Sequence, residues 1–480
     1  MTGKLRIPLL IFGLLLVFRV MDLTAPLSFD EGLYSYIGCV AVPGNQLPYN
    51  SVFDQKPILV YLPYYLACLF SNSVLALRLM GLSITFIVVV LIYYLVKKQF
   101  GRTAAIITIL LELLLGNNQS FEGQYNLLSE QLIKLPLVIF IAWIISAPKR
   151  YGFYYIFLGG VILSWIFLTK QTYGLLFPIA IIAVYFLKPQ TFYKTTLALL
   201  SGFTVIPIAI MAKYIQSGAL NDLWEGMFGY NFKYYIFEVR PPIKIWIKTY
   251  VARARWLFPS LLLTPMFIKI IQKNRSGYFP YLIITLLYLF LGFYSVWSGG
   301  DRFFGHYFQL ISFPMFLLAG PAVGILIDRK VSRHLIKKFA IISVIILSFI
   351  FEIKSWPQGQ VARVHLTFFT DNDNAAIHKL VKENIPKKKI FFAGYTNIYY
   401  FLYKLPLPTG NIIMSELAFR PNHQAFYDQF TTLFNSDPPY YFVIDDRNEL
   451  NSNILFQQFI KHYLYRHTVD RLTVFSHPVI

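Results

Sequence analysis

From Ile7 to Phe351 the chain runs through one apolar stretch of roughly membrane-spanning length after another, and beyond Phe351 it stops doing so. In a bilayer no water is present to satisfy backbone N–H and C=O groups, so each such stretch must bond internally as a helix. The composition agrees with lipid as the solvent: 56% of residues are apolar and 14% charged, where a soluble domain carries about a quarter charged. The expected fold is an all-α polytopic membrane domain over residues 1–354, followed by a small α/β soluble domain over 355–480, where the chain turns polar and rich in turn residues.

The spans are read as residues 7–22, 75–96, 103–117, 126–147, 151–168, 173–187, 195–215, 251–271, 278–297, 306–327 and 338–354, eleven in all. An odd count places the C-terminal domain on the side opposite the N-terminus. The formal net charge of +20 would suit nucleic acid, but its distribution speaks against that partner. With Lys4 and Arg6 inside, the other inner loops hold Lys97, Lys98, Arg102, Lys149, Arg150, Lys188, Lys194, Lys269, Lys273, Arg275, Arg329, Lys330, Arg333, Lys337 and Lys338, with Asp328 the only acid among them. The outer loops hold Asp22, Asp30, Glu31, Asp54, Glu122, Asp222, Glu225, Glu238 and Asp301. This is the positive-inside bias, and it fixes an orientation.

The segment 58–71, "ILVYLPYYLACLFS", is apolar but short for a crossing and contains Pro63. Counting it as a span would throw Lys97, Lys98 and Arg102 outside, so it reads as an interfacial or re-entrant helix of the first outer loop. The N-terminal run "IPLLIFGLLLVFRV" lacks a small-x-small cleavage site and reads as an anchor rather than a signal peptide. Cys39 and Cys68 both fall near the outer side and can pair there, although two cysteines make no disulfide framework. In the tail, "AAIHKLVKENI" and "NIYYFLYKLP" have helical spacing, whereas "KIFFAGY" and "PPYYFVIDD" read as buried strands.

The residues that carry chemistry gather at the outer face. Asp30 and Glu31 follow the first span by a turn or two. A carboxylate against low-dielectric lipid has its pKa raised, which suits a general base; the bland alternative is a pair of solvated loop acids. In "FEGQYNLLSEQL", Glu122, Asn126 and Glu130 recur every four residues, so a helix starting there aligns them on one face that enters the membrane at Glu130. Helix-terminal capping accounts for Glu122 but not for Glu130 two turns later. Glu112 is a further acid within an apolar run. The complementary cations are Lys56 in "DQKP", Lys170 in "LTKQTYG", and Arg302 and His306 in "WSGGDRFFGHYF", all at span ends on the outer side. Snorkelling explains any one of them; a set of cations facing carboxylates at headgroup depth suits a phosphate held while a nucleophile is deprotonated nearby.

The acid pair, then "LPYNSVFDQKPILVY", then "LALRLMGLSITFIVVVLIYYLVKKQFGR", resembles the protein O-mannosyltransferase-like branch of the GT-C glycosyltransferases. That branch includes dolichyl-phosphate-mannose–protein mannosyltransferases and bacterial lipid A aminoarabinose transferases. Lys56–Pro57, Arg78 and Phe100–Gly101–Arg102 match its bacterial pattern; Ile58 replaces a second proline. The resemblance covers residues 20–330 and, in the tail, only the general layout.

The resemblance implies an integral membrane enzyme that takes a sugar from a polyprenyl-phosphate donor and transfers it on the non-cytoplasmic side of a bacterial plasma membrane, with inversion. It implies Asp30 as general base with Glu31 beside it and Glu122 as a second catalytic acid. Lys56, Lys170, Arg302 and His306 would hold the lipid phosphate, and Asn126 and Glu130 would contact substrate. Some members use a divalent metal; here Asp30 and Glu122 are the candidate ligands. The implied partners are the lipid-linked donor, membrane lipids, and a glycan, lipid or protein acceptor. A flippase for lipid-linked sugars would share the size and greasiness but calls for internal repeats and polar groups at the bilayer midplane, which this chain does not show.

Overall fold

Where described, these apolar runs are largely helical in the computed structural model, which describes residues 2–19, 23, 27–50, 52–114, 127–146, 152–187, 189–235, 242, 244, 258–272, 278–298, 305–328, 390–392, 428, 431–432, 439, 441–445, 456–457, 460–461, 463–469 and 472–476. In chain order the helices are α1 (Thr2–Arg19), α2 (Phe29–Tyr36), α3 (Leu62–Cys68), α4 (Val74–Phe100), α5 (Arg102–Leu114), α6 (Ser129–Leu132) and α7 (Lys134–Ser146). They continue as α8 (Phe153–Thr169), α9 (Leu176–Leu187), α10 (Phe192–Gln216), α11 (Leu220–Trp224), α12 (Phe258–Gln272), α13 (Phe279–Ser298) and α14 (Gln309–Asp328).

The chain forms two compact units. The first comprises Met1–Ala25, Arg78–Lys213 and Asn231–Arg363; the second comprises Pro26–Leu77, Tyr214–Tyr230 and Val364–Ile480. This partition cuts across the linear division at 354/355, because the first long loop and residues 214–230 belong to the second unit.

In the first unit, α4, α10 and α13, of 27, 25 and 20 residues, are long and apolar enough to cross a membrane by length and composition among the described residues. Helices also lie on seven further stretches read as spans, as α1, α5, α6–α7, α8, α9, α12 and α14. The eleventh, 338–354, lies outside the described residues. Small residues let backbones approach, as is usual where lipid removes the hydrophobic drive between helices. Gly320 and Gly324 of α14 lie against α5 so closely that a Cβ would come within 2.0 Å of Thr108 Oγ1 and 2.3 Å of Ala104 Cα. The Tyr281 hydroxyl of α13 donates to the Leu317 carbonyl of α14 at 2.7 Å.

The helix expected to start near Glu122 is not continuous through Glu130. Leu128 is extended (φ −76°, ψ 164°) and serves as N-cap, so α6 starts at Ser129. Pro136, at the third position of α7, cannot donate to residue 132, and the chain turns at Ile133 between α6 and α7. Glu130 therefore sits in the first turn of a new helix.

In the second unit, 58–71 forms a 3₁₀ turn at Ile58–Val60 and then α3, which at seven residues is about 10 Å long, far short of a bilayer. Tyr64 and Ala67 face inward, and Leu62, Leu66 and Leu69 are exposed. A Cys39–Cys68 disulfide joins the end of α3 to the π-turn Ile37–Ala41 that follows α2. The C-terminal residues form a four-stranded sheet, β1 (Ile390–Phe392), β2 (Tyr441–Asp445), β3 (Leu464–Val469) and β4 (Leu472–Ser476), in the order β1-β2-β4-β3. β1 and β2 run parallel; β4 pairs antiparallel with β2 and β3. The two strands expected from the sequence are β1 and β2, while the β3–β4 hairpin was not foreseen. The tail helices read at "AAIHKLVKENI" and "NIYYFLYKLP" lie outside the described residues.

Candidate active site

The acid pair begins α2, and the helix terminus divides its labour. Ser28 is the N-cap; its hydroxyl accepts from the Glu31 N–H at 3.4 Å, while the Glu31 carboxylate accepts from the Ser28 N–H at 2.9 Å. This reciprocal capping box uses Glu31, which is fully buried, to satisfy helix-end donors. Asp30, its neighbour, stays partly exposed.

Asp54 counts in the sequence only as one of the outer acids. Its carboxylate is buried, accepting from the Tyr61 hydroxyl at 2.8 Å and from the Gln55 N–H at 2.6 Å. Burial raises its pKa from 3.8 to about 6; the Lys56 charge and the Tyr61 hydrogen bond oppose that rise, and the Asp30 charge adds to it. Asp54 thus lies within electrostatic reach of both Asp30 and Lys56, the two residues on which the sequence reading rested most. Lys56 itself is half-buried. Its carbonyl oxygen accepts from the Tyr49 hydroxyl at 2.5 Å and lies 3.4 Å from the Tyr61 hydroxyl. Desolvation holds both tyrosines well above the ordinary phenol pKa, so they remain neutral donors.

Residues 214–230, from the same unit, buttress this loop. The Tyr214 hydroxyl donates to the Pro48 carbonyl at 2.6 Å, Asn50 Nδ2 donates to Asp222 Oδ2 at 2.7 Å, and the Phe53 and Tyr230 rings meet edge-on at 5.6 Å. Gly226 is required here: a Cβ would fall 2.2 Å from the Tyr49 ring.

The first unit holds its own charged groups. Lys170, between α8 and the 3₁₀ turn Gln171–Leu175, pairs with Glu130 and lies over the Tyr307 ring at 4.8 Å. Two residues read separately as substrate contacts are therefore partners. A second pair, Lys134 with Glu112 at 2.8 Å, joins α7 to α5, with both side chains at most 2% exposed. Glu112, the acid within an apolar run, thus faces a neighbouring helix. Glu122, Asn126 and Arg302 lie outside the described residues; His306 lies in the 3₁₀ turn Gly305–Phe308, with its side chain outside them. Among the described residues no three or more His, Cys, Asp or Glu side chains are grouped to hold a metal ion, and Glu122, the second proposed ligand, is not among them.

A profile of the dolichyl-phosphate-mannose-protein mannosyltransferase family matches residues 54–215, a stretch that begins at Asp54 and includes Lys56, Glu130 and Lys170. No curated protein sequence matches the chain. The fold is similar to that of ArnT from Cupriavidus metallidurans bound to undecaprenyl phosphate, with a TM-score of 0.65 at 13% identity over 98% of this chain and 97% of that one. The match to the mannosyltransferase family covers about a third of the chain. The Archaeoglobus fulgidus oligosaccharyltransferase in its apo form is also similar, with a TM-score of 0.57 at 13% identity, covering 98% of this chain and 74% of the archaeal one. The archaeal oligosaccharyltransferase AglB from the same organism, in complex with an inhibitory peptide and a dolichol-phosphate, gives a TM-score of 0.53 at 13% identity over 96% and 73% of the two chains. At these identities the likeness is one of fold.

Proposed function

We propose that this chain is an integral membrane glycosyltransferase that moves a sugar from a polyprenyl-phosphate donor to an acceptor hydroxyl on the non-cytoplasmic side. Asp30 acts as general base: it takes the hydroxyl proton as the acceptor oxygen bonds to the anomeric carbon, and the bond from that carbon to the phosphate oxygen breaks. The carbon inverts, and the polyprenyl phosphate leaves as an anion that needs cations rather than an acid. Lys56 is the cation assigned to it. Arg302 and His306 remain proposed phosphate contacts, Glu122 a proposed second catalytic acid and Asn126 a proposed substrate contact, and Glu31 serves the helix that carries Asp30.

The observation that carries this reading is that the charges of Asp30 and Lys56 both act on one buried carboxylate, Asp54, which supports a base and a cation drawn from one loop system. The fold supports it, since solved relatives of this fold hold undecaprenyl phosphate and dolichol-phosphate. The Cys39–Cys68 disulfide closes the loop that contains Lys56, and disulfides persist in oxidising compartments, which supports an outward-facing first loop in a bacterial plasma membrane.

The test is release of undecaprenyl phosphate from lipid-linked sugars by the purified, detergent-solubilised chain supplied with candidate acceptors. Asp30→Asn should lower release about 10²–10⁴-fold without changing thermal stability. Near-normal turnover by that variant would remove Asp30 from the role of base; sugar movement across vesicles with no release at all would favour a flippase.

A further inference from the structure

A lysine that grips a phosphate is a point charge on a flexible four-carbon stem, so the site of that charge is set by the backbone from which it springs. The backbone of Lys56 is unusually constrained. Tyr49, seven residues upstream, donates its hydroxyl to the Lys56 carbonyl, and Tyr61, five residues downstream, bonds Asp54 and approaches the same carbonyl. The loop between them is tied at its base as well, with the Tyr49 N–H donating to the Val52 carbonyl at 2.8 Å and Tyr214 holding Pro48. Tyr49 adopts φ +66°, in the left-handed region that a bulky side chain disfavours. Such a conformation persists where surrounding contacts over-determine it, and here the contacts converge on Lys56.

We propose that Tyr49 and Tyr61 are positioning residues for Lys56, together fixing through its carbonyl oxygen and through Asp54 where the lysine charge meets the phosphate of a lipid-linked donor. The inference rests on the reading of Lys56 as the cation for that phosphate. The three rings form part of one buried cluster: Tyr49 and Tyr61 meet at 6.3 Å, as do Tyr49 and Tyr214, so a shift of one hydroxyl is resisted by its neighbours. Removing a hydroxyl while keeping the ring therefore isolates the hydrogen bond from the packing.

The experiment measures undecaprenyl phosphate affinity, with donor KM and kcat alongside, for Tyr49→Phe and Tyr61→Phe, each made in the native chain and in Lys56→Met. In the native background each should weaken undecaprenyl phosphate binding by about tenfold or less and raise donor KM in step, with kcat nearly unchanged. In the Lys56→Met background neither should cost anything further, because the group they position is gone. Equal losses in both backgrounds overturn the positioning role and leave the reading of Lys56 intact. A Lys56→Met chain that binds undecaprenyl phosphate as tightly as the native one removes that reading, and the positioning role with it. Tyr49→Phe leaves both hydrogen bonds to the Asp54 carboxylate in place, so it carries the test by itself if Tyr61→Phe disturbs folding.

Discussion

Lys170 and Glu130, forty residues apart, meet as an ion pair with Glu130 buried and Lys170 capped by the Tyr307 ring. An unpaired carboxylate among apolar helices is costly, and Lys170 supplies the compensation that Glu130 needs. Lys170→Met should accordingly destabilise the chain by about 3–5 kcal/mol, because it strands a buried charge. Adding Glu130→Gln should restore much of that loss. Thermal unfolding in detergent reads both; a double variant as unstable as the single one would mean that the pair is not the partner Glu130 depends on.

The same logic applies more sharply to Lys134 and Glu112, which are less exposed still. Either single replacement, Lys134→Met or Glu112→Gln, should cost about 3–5 kcal/mol, and the pair together clearly less than the sum. Additive losses in thermal unfolding would show that the two side chains act independently.

Asp54 makes a pH prediction of definite sign. Its pKa in the fold is about 6 against an ordinary 3.8, so the folded chain binds more protons than the unfolded one between those values. Stability from this group therefore falls as pH rises from about 4 to about 6 and then levels off, a change of about 3 kcal/mol. Asp54→Asn keeps an acceptor for Tyr61 and has nothing to titrate. Its unfolding temperature should lose that slope between pH 4 and 6; an unchanged slope would assign it to another group.

What the sequence made legible follows from the range over which each signal acts. Apolar run length and the charge bias of loops are local, and among the described residues helices lie on ten of the eleven runs. The shortness of 58–71 was visible in the same way. The acids and cations were visible as residue types, but their partners were not. Lys170 and Glu130 each read as a substrate contact, and nothing in "LTKQTYG" or "LLSEQL" says that they also meet. Asp54 counts there only as an outer acid for a related reason: its burial depends on Tyr61 and on packing of the Pro48–Lys56 loop, neither of which has a periodic signature. The four-residue spacing of Glu122, Asn126 and Glu130 suggested one helical face, yet Leu128 is extended and a helix starts only at Ser129. Pro136 was the clue that the chain does not run straight through this region.

The disulfide gives a last prediction, in which stability and function separate. Cys39 and Cys68 are 29 residues apart and close a loop that contains Tyr49, Asp54, Lys56 and Tyr61. Closing a loop of that length restricts the unfolded chain and is worth about 3–4 kcal/mol on chain-entropy grounds. Cys39→Ala with Cys68→Ala should thus lower the unfolding temperature in detergent, and a reductant should do the same to the native chain but nothing to the double variant. The bond also ties the turn after α2, the helix that carries Asp30, to α3, just beyond Tyr61. Below the lowered unfolding temperature, its loss should raise the donor KM for lipid-linked sugar more than it lowers kcat, since it loosens the loop that presents Lys56 without touching Asp30. Loss of kcat alone, with donor KM unchanged, would show that the disulfide serves the helix of Asp30 and not the lysine loop.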